Sequence, residues 1–319
     1  MDVRLARPTD VPLALALALD DGAHLVRTAD RTGGRQVART MARACFPVAF
    51  PGRAWIARAT GSVALLEAAP RRYVIGWDVT RLVARGDRAD VLGPALNAVT
   101  EHLQSHGVPR LFARCAESAA EELKMVGFHP LSREYVLRRP GSQPSRDVSL
   151  PADSRYRMPQ DAWPLHQLEN SLTPTLVRQM EGLTSLDWSP KARGMQEIVV
   201  ERDGEVVCWL GWGVKLRKDL QQIGLLVHPR YAELAPDLLA HAQRNAPGVA
   251  FLARVRDYHS EALTAFLATG FEIVAEEILM VKHARVERAR NARSLLAVAQ
   301  VPTAHIMRQH AGDTARLPR

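Results

Sequence analysis

Apolar residues recur along this chain in two rhythms, a period of two in short runs and a period near 3.6 in longer ones, and the rhythms alternate in a fixed order. Arg4-Leu5-Ala6 reads as an opening strand. Pro8-Thr9-Asp10 then caps an apolar helix through Leu19, with Pro12 tolerated in its first turn. A second helix is expected over residues 31–44, ending at Phe46-Pro47. Residues 53–59, a turn at Thr60-Gly61-Ser62 and residues 63–68 read as a hairpin, and a longer strand follows over 73–84. From 88 to 104, Val91, Leu92, Ala95, Val99 and Leu103 fall at helical spacing, and Gly107 ends the element. A strand over 110–114, a helix over 117–125 and a closing strand region over 128–138 complete the series.

Residues 139–146 form a Pro/Gly/Ser-rich break, after which the same order restarts. A strand is expected at 156–158, and Asp161 caps a helix running to Asn170. A second helix covers 175–181, and a hairpin joins 198–201 to 206–210 through Arg202-Asp203-Gly204. A strand at 223–227, a helix at 235–243, a strand at 250–255, a helix at 260–267 and closing strands over 271–283 complete the second series. The expected division is a domain at 1–139, a linker at 140–152, a second domain at 153–284, and a basic tail at 285–319 that is disordered or loosely docked. A chain of 319 residues suits about two domains.

Both halves end alike. Val126-Gly127-Phe128 runs into Arg133-Glu134-Tyr135-Val136-Leu137, and Thr269-Gly270-Phe271 runs into Glu276-Glu277-Ile278-Leu279-Met280. The segment from His259 to Phe271 resembles the GNAT acyltransferase pattern Asn-x-x-Ala-x-x-x-Tyr-x-x-x-Gly-Phe, with Ala262, Gly270 and Phe271 in register. The resemblance covers about Val3 to His283 and implies an α/β fold: two tandem GNAT-like domains, each built on a mixed sheet. It further implies acetyl-CoA or another acyl-CoA as cofactor, and a small-molecule or peptide amine as the acceptor.

The departures from the pattern sit at its chemical positions. His259 replaces the Asn, and Phe266 replaces the Tyr that in many members protonates the departing thiolate. A phenyl ring has no proton to give. In the first half Leu123 stands at the Tyr position and Ala116 at the Asn position. The family cradles pyrophosphate on a loop of pattern Arg/Gln-x-x-Gly-x-Gly/Ala, where glycine lets backbone N–H groups approach the phosphates. In the second half the loop runs from Val227 to Ala235. Counted from Arg230, Ala235 ends the motif and Glu233 takes the central Gly. Counted from Pro229, the motif falls on Ala232, Ala235 and Asp237. The first half has Arg85-Gly86-Asp87-Arg88-Ala89-Asp90 there. The resemblance thus points to Leu226, Val227, His228, Arg230, Ala232 and Ala235 as coenzyme contacts.

His228 and Glu201 are candidate bases, with Asp78 behind them. Trp163 and His166 suit either acceptor contact or helix packing. The Gly211 and Gly213 pair beside Trp209 and Trp212 signals a bulged strand. The second half is the expected site of activity, and a non-catalytic ligand- or protein-binding module is the alternative reading.

Hydrophobic residues make up 47% and charged ones 24%, as in a soluble globular protein. Arg4 and Arg7 before the apolar run at 11–19 imitate a secretory signal. Asp2, Asp10, Asp20 and Asp21 argue instead for a buried first helix and a cytoplasmic protein. Cys45, Cys115 and Cys208 show no metal or redox spacing and read as small buried residues. No metal is expected. The net charge of +8 is carried mainly by arginine without any nucleic-acid-binding motif, so it supplies only a sequence-independent attraction.

Overall fold

The computed structural model describes residues 1–18, 24–27, 52–71, 76–141, 149–188, 195–217 and 219–284. The helix expected at 31–44, Cys45 and the basic tail lie outside the described residues. The first half comprises β1 (Asp2–Leu5), α1 (Val11–Ala18), β2 (His24–Arg27), β3 (Arg53–Ala59), β4 (Ser62–Pro70), β5 (Trp77–Arg85), α2 (Arg88–Ser105), β6 (Arg110–Cys115), α3 (Glu117–Met125) and β7 (His129–Arg139). The second comprises β8 (Ser154–Tyr156), α4 (Ala162–Leu172), α5 (Thr175–Glu181), β9 (Gln196–Arg202), β10 (Glu205–Arg217), β11 (Leu220–Val227), α6 (Ala235–Arg244), β12 (Ala250–Arg256), α7 (Ser260–Ala268) and β13 (Glu272–His283). None of the described helices is long and apolar enough to cross a membrane.

Within the described residues the expected hairpins and helices form, with three differences. β2 is a strand that periodicity does not announce. The second-half opening strand ends at Tyr156, two residues earlier than expected. The closing region after Phe271 is one long strand, β13. The bulge expected near Gly213 falls between Trp212 and Val214 of β10.

The thirteen strands among the described residues join one sheet in the order β1-β3-β4-β5-β2-β6-β13-β7-β12-β11-β10-β9-β8. The last strand of each half is exchanged. β7 pairs antiparallel with β12 of the second half, β13 pairs with β6 of the first, and the two lie side by side. Where both faces are covered, strands carry unbroken apolar runs, as at Val63-Ala64-Leu65-Leu66 of β4 and Val206-Val207-Cys208-Trp209-Leu210 of β10. Ala64, Leu66 and Ala68 of β4 pack on α2 residues such as Val91, Leu96 and Val99, whereas Leu65 packs on Leu17 of α1. In the second half Leu238 and Leu239 of α6 and Phe266 of α7 cover one face. Leu165 and Leu168 of α4 cover Val199, Val206 and Leu226 on the other. Cys115 and Cys208 are buried thiols, and burial pushes each up to about 12.

Each half opens on the same ion-paired turn. Arg4 donates to both carboxylate oxygens of Asp10 at 2.6 and 2.9 Å, and Arg155 does the same to Asp161 at 2.7 and 2.8 Å. The backbone N–H of Arg7 and of Met158 donate to the same aspartates at 2.8 and 2.7 Å. An Arg-x-x-x-Pro-x-Asp repeat, visible at residues 4–10 and 155–161, encodes this turn.

Candidate active site

Parallel pairing between β11 and β12 runs from Leu220↔Ala250 to Ile223↔Ala253 and stops there. Beyond it the strands diverge, leaving the β12-facing backbone of β11 unpaired up to Val227. A cleft of about 280 Å³ opens at this point. It is lined by Gln222 to Leu226 of β11, Arg254 and Arg256 of β12, His259 before α7, and Glu169, Trp188 and Trp209 opposite. Glycine shapes its wall. A Cβ on Gly211 would come within 2.5 Å of the Trp209 ring and one on Gly224 within 3.0 Å, so the indole lies across both. Trp209 donates its N–H to Glu197 at 3.0 Å, Trp188 donates to Glu169 at 2.7 Å, and the two rings meet edge to face at 5.0 Å.

The first half repeats this geometry up to the same point and then closes it. β5 and β6 pair in parallel from Trp77↔Leu111 to Val79↔Ala113. Where the gap would begin, β2 enters. It pairs with Arg81 to Val83 of β5, and Val26 also pairs with Cys115 of β6. Leu25 and Val26 are buried there.

The floor of the second-half cleft continues into a charged seam between the halves. Arg256 donates to Glu134 and to Glu181, each at 2.9 Å, and Arg114 donates to Glu134 at 2.7 Å. Arg254 pairs with Glu277, and Arg71 bridges Asp78 at 2.9 Å and Glu181 at 3.2 Å. Burial alone would raise the Glu134 carboxyl, but Arg114, Arg256 and Arg254 outweigh it and hold it down at about 2. Burial, aided by the Arg256 charge, lowers the His259 imidazole to about 4, so it is neutral at pH 7.

Of the residues that the sequence motifs mark, Leu226 lines the cleft, and Val227 is buried beside it. His228 is a helix cap, its Nδ1 accepting the N–H of Arg230 at 3.2 Å. His228, Arg230 and Tyr231 border a separate cavity of about 440 Å³ against α4 and the β9–β10 turn. Ala235 is buried in the core and Ala232 lies in the turn Pro229–Leu234. Glu201 stands near the sheet edge, bonded to Arg155 at 3.0 Å, and Asp78 belongs to the seam. Trp163 is 58% exposed, and its ring lies tilted against that of His166 at 5.6 Å. Phe266 is buried against Phe271, and Leu123 is buried too.

In both halves a side chain of the protein itself caps the helix that follows the parallel-paired strand, β5 or β11. Asp87 accepts the Ala89 N–H at 3.0 Å in the first, and His228 does the capping in the second. Gln222, Arg254 and Arg256 line the cleft, and no sequence motif points to them. Their one legible signal is the pair of arginines at alternate positions of an otherwise apolar strand, since a cation inside a sheet needs acidic partners.

No family model matches the chain, and no curated protein matches it. Solved structures do. A tandem GNAT protein from the clavulanic acid biosynthesis pathway, solved without AcCoA, aligns with a TM-score of 0.54 at 16% identity, over 89% of this chain and 99% of that one. A GCN5-related N-acetyltransferase from Sphaerobacter thermophilus aligns with a TM-score of 0.55 at 16% identity, over 89% and 96%. A Drosophila protein aligns with a TM-score of 0.54 at 12% identity, over 89% and 99%. The repeated element order, the twin parallel pairs and these neighbours over most of the chain make this a tandem GNAT fold.

Proposed function

We propose that the chain is an N-acyltransferase that moves an acyl group from acyl-CoA to an amine, with its chemistry in the second half. One observation carries this reading: the gap beyond Ile223↔Ala253 is open, while β2 occupies its counterpart. The coenzyme fits the open gap in one respect that side chains do not decide, because the unpaired backbone of β11 offers hydrogen bonds along the cleft. Acyl-CoA supplies a thioester whose acyl carbon bonds to the amine nitrogen as the C–S bond breaks, the nitrogen losing a proton and the sulfur leaving as thiol.

The protein's part is to orient and polarise. Backbone N–H groups of β11 beyond Ile223 would face an acyl oxygen, and donors fixed in place cost no reorganisation as charge develops. Trp188 and Trp209, each pinned by a carboxylate, wall the cleft and keep water from the reacting carbon. Phe266 gives no proton, so the reaction relies on orientation in place of an acid from that position.

Titration calorimetry with acetyl-CoA tests this directly. The expected result is one site per chain, lost in His259→Trp, which enlarges a ring on the cleft wall. No heat, or two equal sites, overturns it. The capped loops and Phe266 favour a second reading, a binding module without turnover. Thiol release from acetyl-CoA in the presence of a panel of amines separates the two, since a binding module takes up acetyl-CoA and releases none.

A further inference from the structure

Arg114 and Arg254 occupy equivalent places, each one residue beyond the last parallel pair of its half. Each pairs with glutamates of the exchanged strands, Arg114 with Glu134, and Arg254 with Glu277 and, at 3.8 Å, with Glu134. The halves differ one step away. On β5, Asp78 sits in the register opposite Phe112, and its carboxylate lies 3.6 Å from Nη1 of Arg114. On β11 the equivalent register, opposite Leu252, holds Gln222, and Nη2 of Arg254 is buried with no hydrogen-bond partner. Gln222 and Arg254 both line the open cleft. The first half therefore provides from its own chain a carboxylate that the second half omits. Arg256, the other cleft arginine, is already committed to Glu134 and Glu181.

A buried N–H without an acceptor is destabilising, and a guanidinium arm is geometrically matched to a carboxylate. We propose that the amine acylated in the second half carries a carboxylate, which takes the place Asp78 holds in the first half and is bound by Arg254 and the amide of Gln222. Amino-acid-like acceptors are the class this selects. The proposal rests on the acyltransferase reading.

The test measures thiol release from acetyl-CoA with the full chain, offering each amino acid beside its own carboxamide. Wild type is expected to favour the carboxylate partner at least tenfold in kcat/KM. Two variants remove the feature by opposite routes. Gln222→Asp installs the first-half carboxylate inside the protein, and Arg254→Lys keeps the positive charge beside Glu277 while giving up the second arm. Both are expected to cut the preference below twofold, with thermal unfolding midpoints reporting that each variant is folded. A wild type that binds acetyl-CoA but acylates no carboxylate acceptor, or a preference that survives both variants, overturns the proposal. Failure to bind acetyl-CoA instead overturns the acyltransferase reading beneath it.

Discussion

The two halves share an element order, an opening ion-paired turn and a parallel strand pair of matching register, and they part immediately beyond that pair. In the first half β2 pairs across Arg81 to Val83, and the Asp78 carboxylate lies 3.6 Å from Arg114. In the second the strands stay apart, and Arg254 keeps an arm without a partner. One half has filled with its own chain both the space and the charge that the other leaves for something else. Duplication of a fold thus need not duplicate a site, because a four-residue strand is enough to occupy a gap that backbone divergence alone would leave open. The exchange of β7 and β13 explains why a closed half would persist: it supplies half of the seam on which the open half rests.

That dependence can be broken most severely at Glu134, which faces Arg114, Arg254 and Arg256. Glu134→Gln leaves buried guanidinium groups without their carboxylate and is expected to cost about 3–5 kcal/mol in urea unfolding. The pH dependence has a definite sign. Because Glu134 is held at about 2 against an ordinary 4.5, its stabilisation is complete above 4.5 and is lost as pH falls towards 2. Wild type should therefore lose stability through that window, and the variant should show a flatter profile. A variant as stable as wild type would mean that apolar packing alone joins the halves.

A smaller effect is expected from Val26→Asp, which buries a carboxylate where β2 bridges β5 and β6. A cost of about 2 kcal/mol or more, with faster amide exchange in β2 and β6 but not in β12, would sharpen the contrast between a plugged and an open gap. Equal acceleration in β12 would erase it.

The opening turns should give the smallest difference. Asp10→Ala takes the carboxylate from both Arg4 and Arg58 and leaves Arg4 only Asp2 at 3.4 Å, whereas after Asp161→Ala the Arg155 guanidinium keeps Glu201 at 3.0 Å. Each is expected to cost about 1–3 kcal/mol, Asp10→Ala the more, as read from urea midpoints. The reverse ranking would show that the two turns are not energetically equivalent in the way their geometry suggests.

Much of the fold is legible in the sequence because its signals are local. The 3.6 period places α2 over 88–105 almost to the residue, and the 117–125 helix coincides with α3. The repeat of Arg-x-x-x-Pro-x-Asp is legible too, although only its capping half announces itself without the partner arginine in place. The candidate site is less so. His228 and Arg230 stand out by their place in a motif, and the fold turns them towards a different cavity. Glu201 stands out for its chemistry, and an arginine 46 residues away claims it. β2 escapes notice because four residues carry too little alternation to declare a strand, and its role depends on a gap made by strands more than fifty residues later.

By itself, then, the sequence determined the order of elements, the twofold repeat and the loss of a proton donor at Phe266 and Leu123, since periodicity and residue chemistry are properties of short stretches. Only the tertiary structure decided which half stays open, where the closing strands pair and that Arg254 of the open cleft keeps an unbonded arm. Those outcomes depend on register and charge brought together across more than a hundred residues, and nothing within a local window records them.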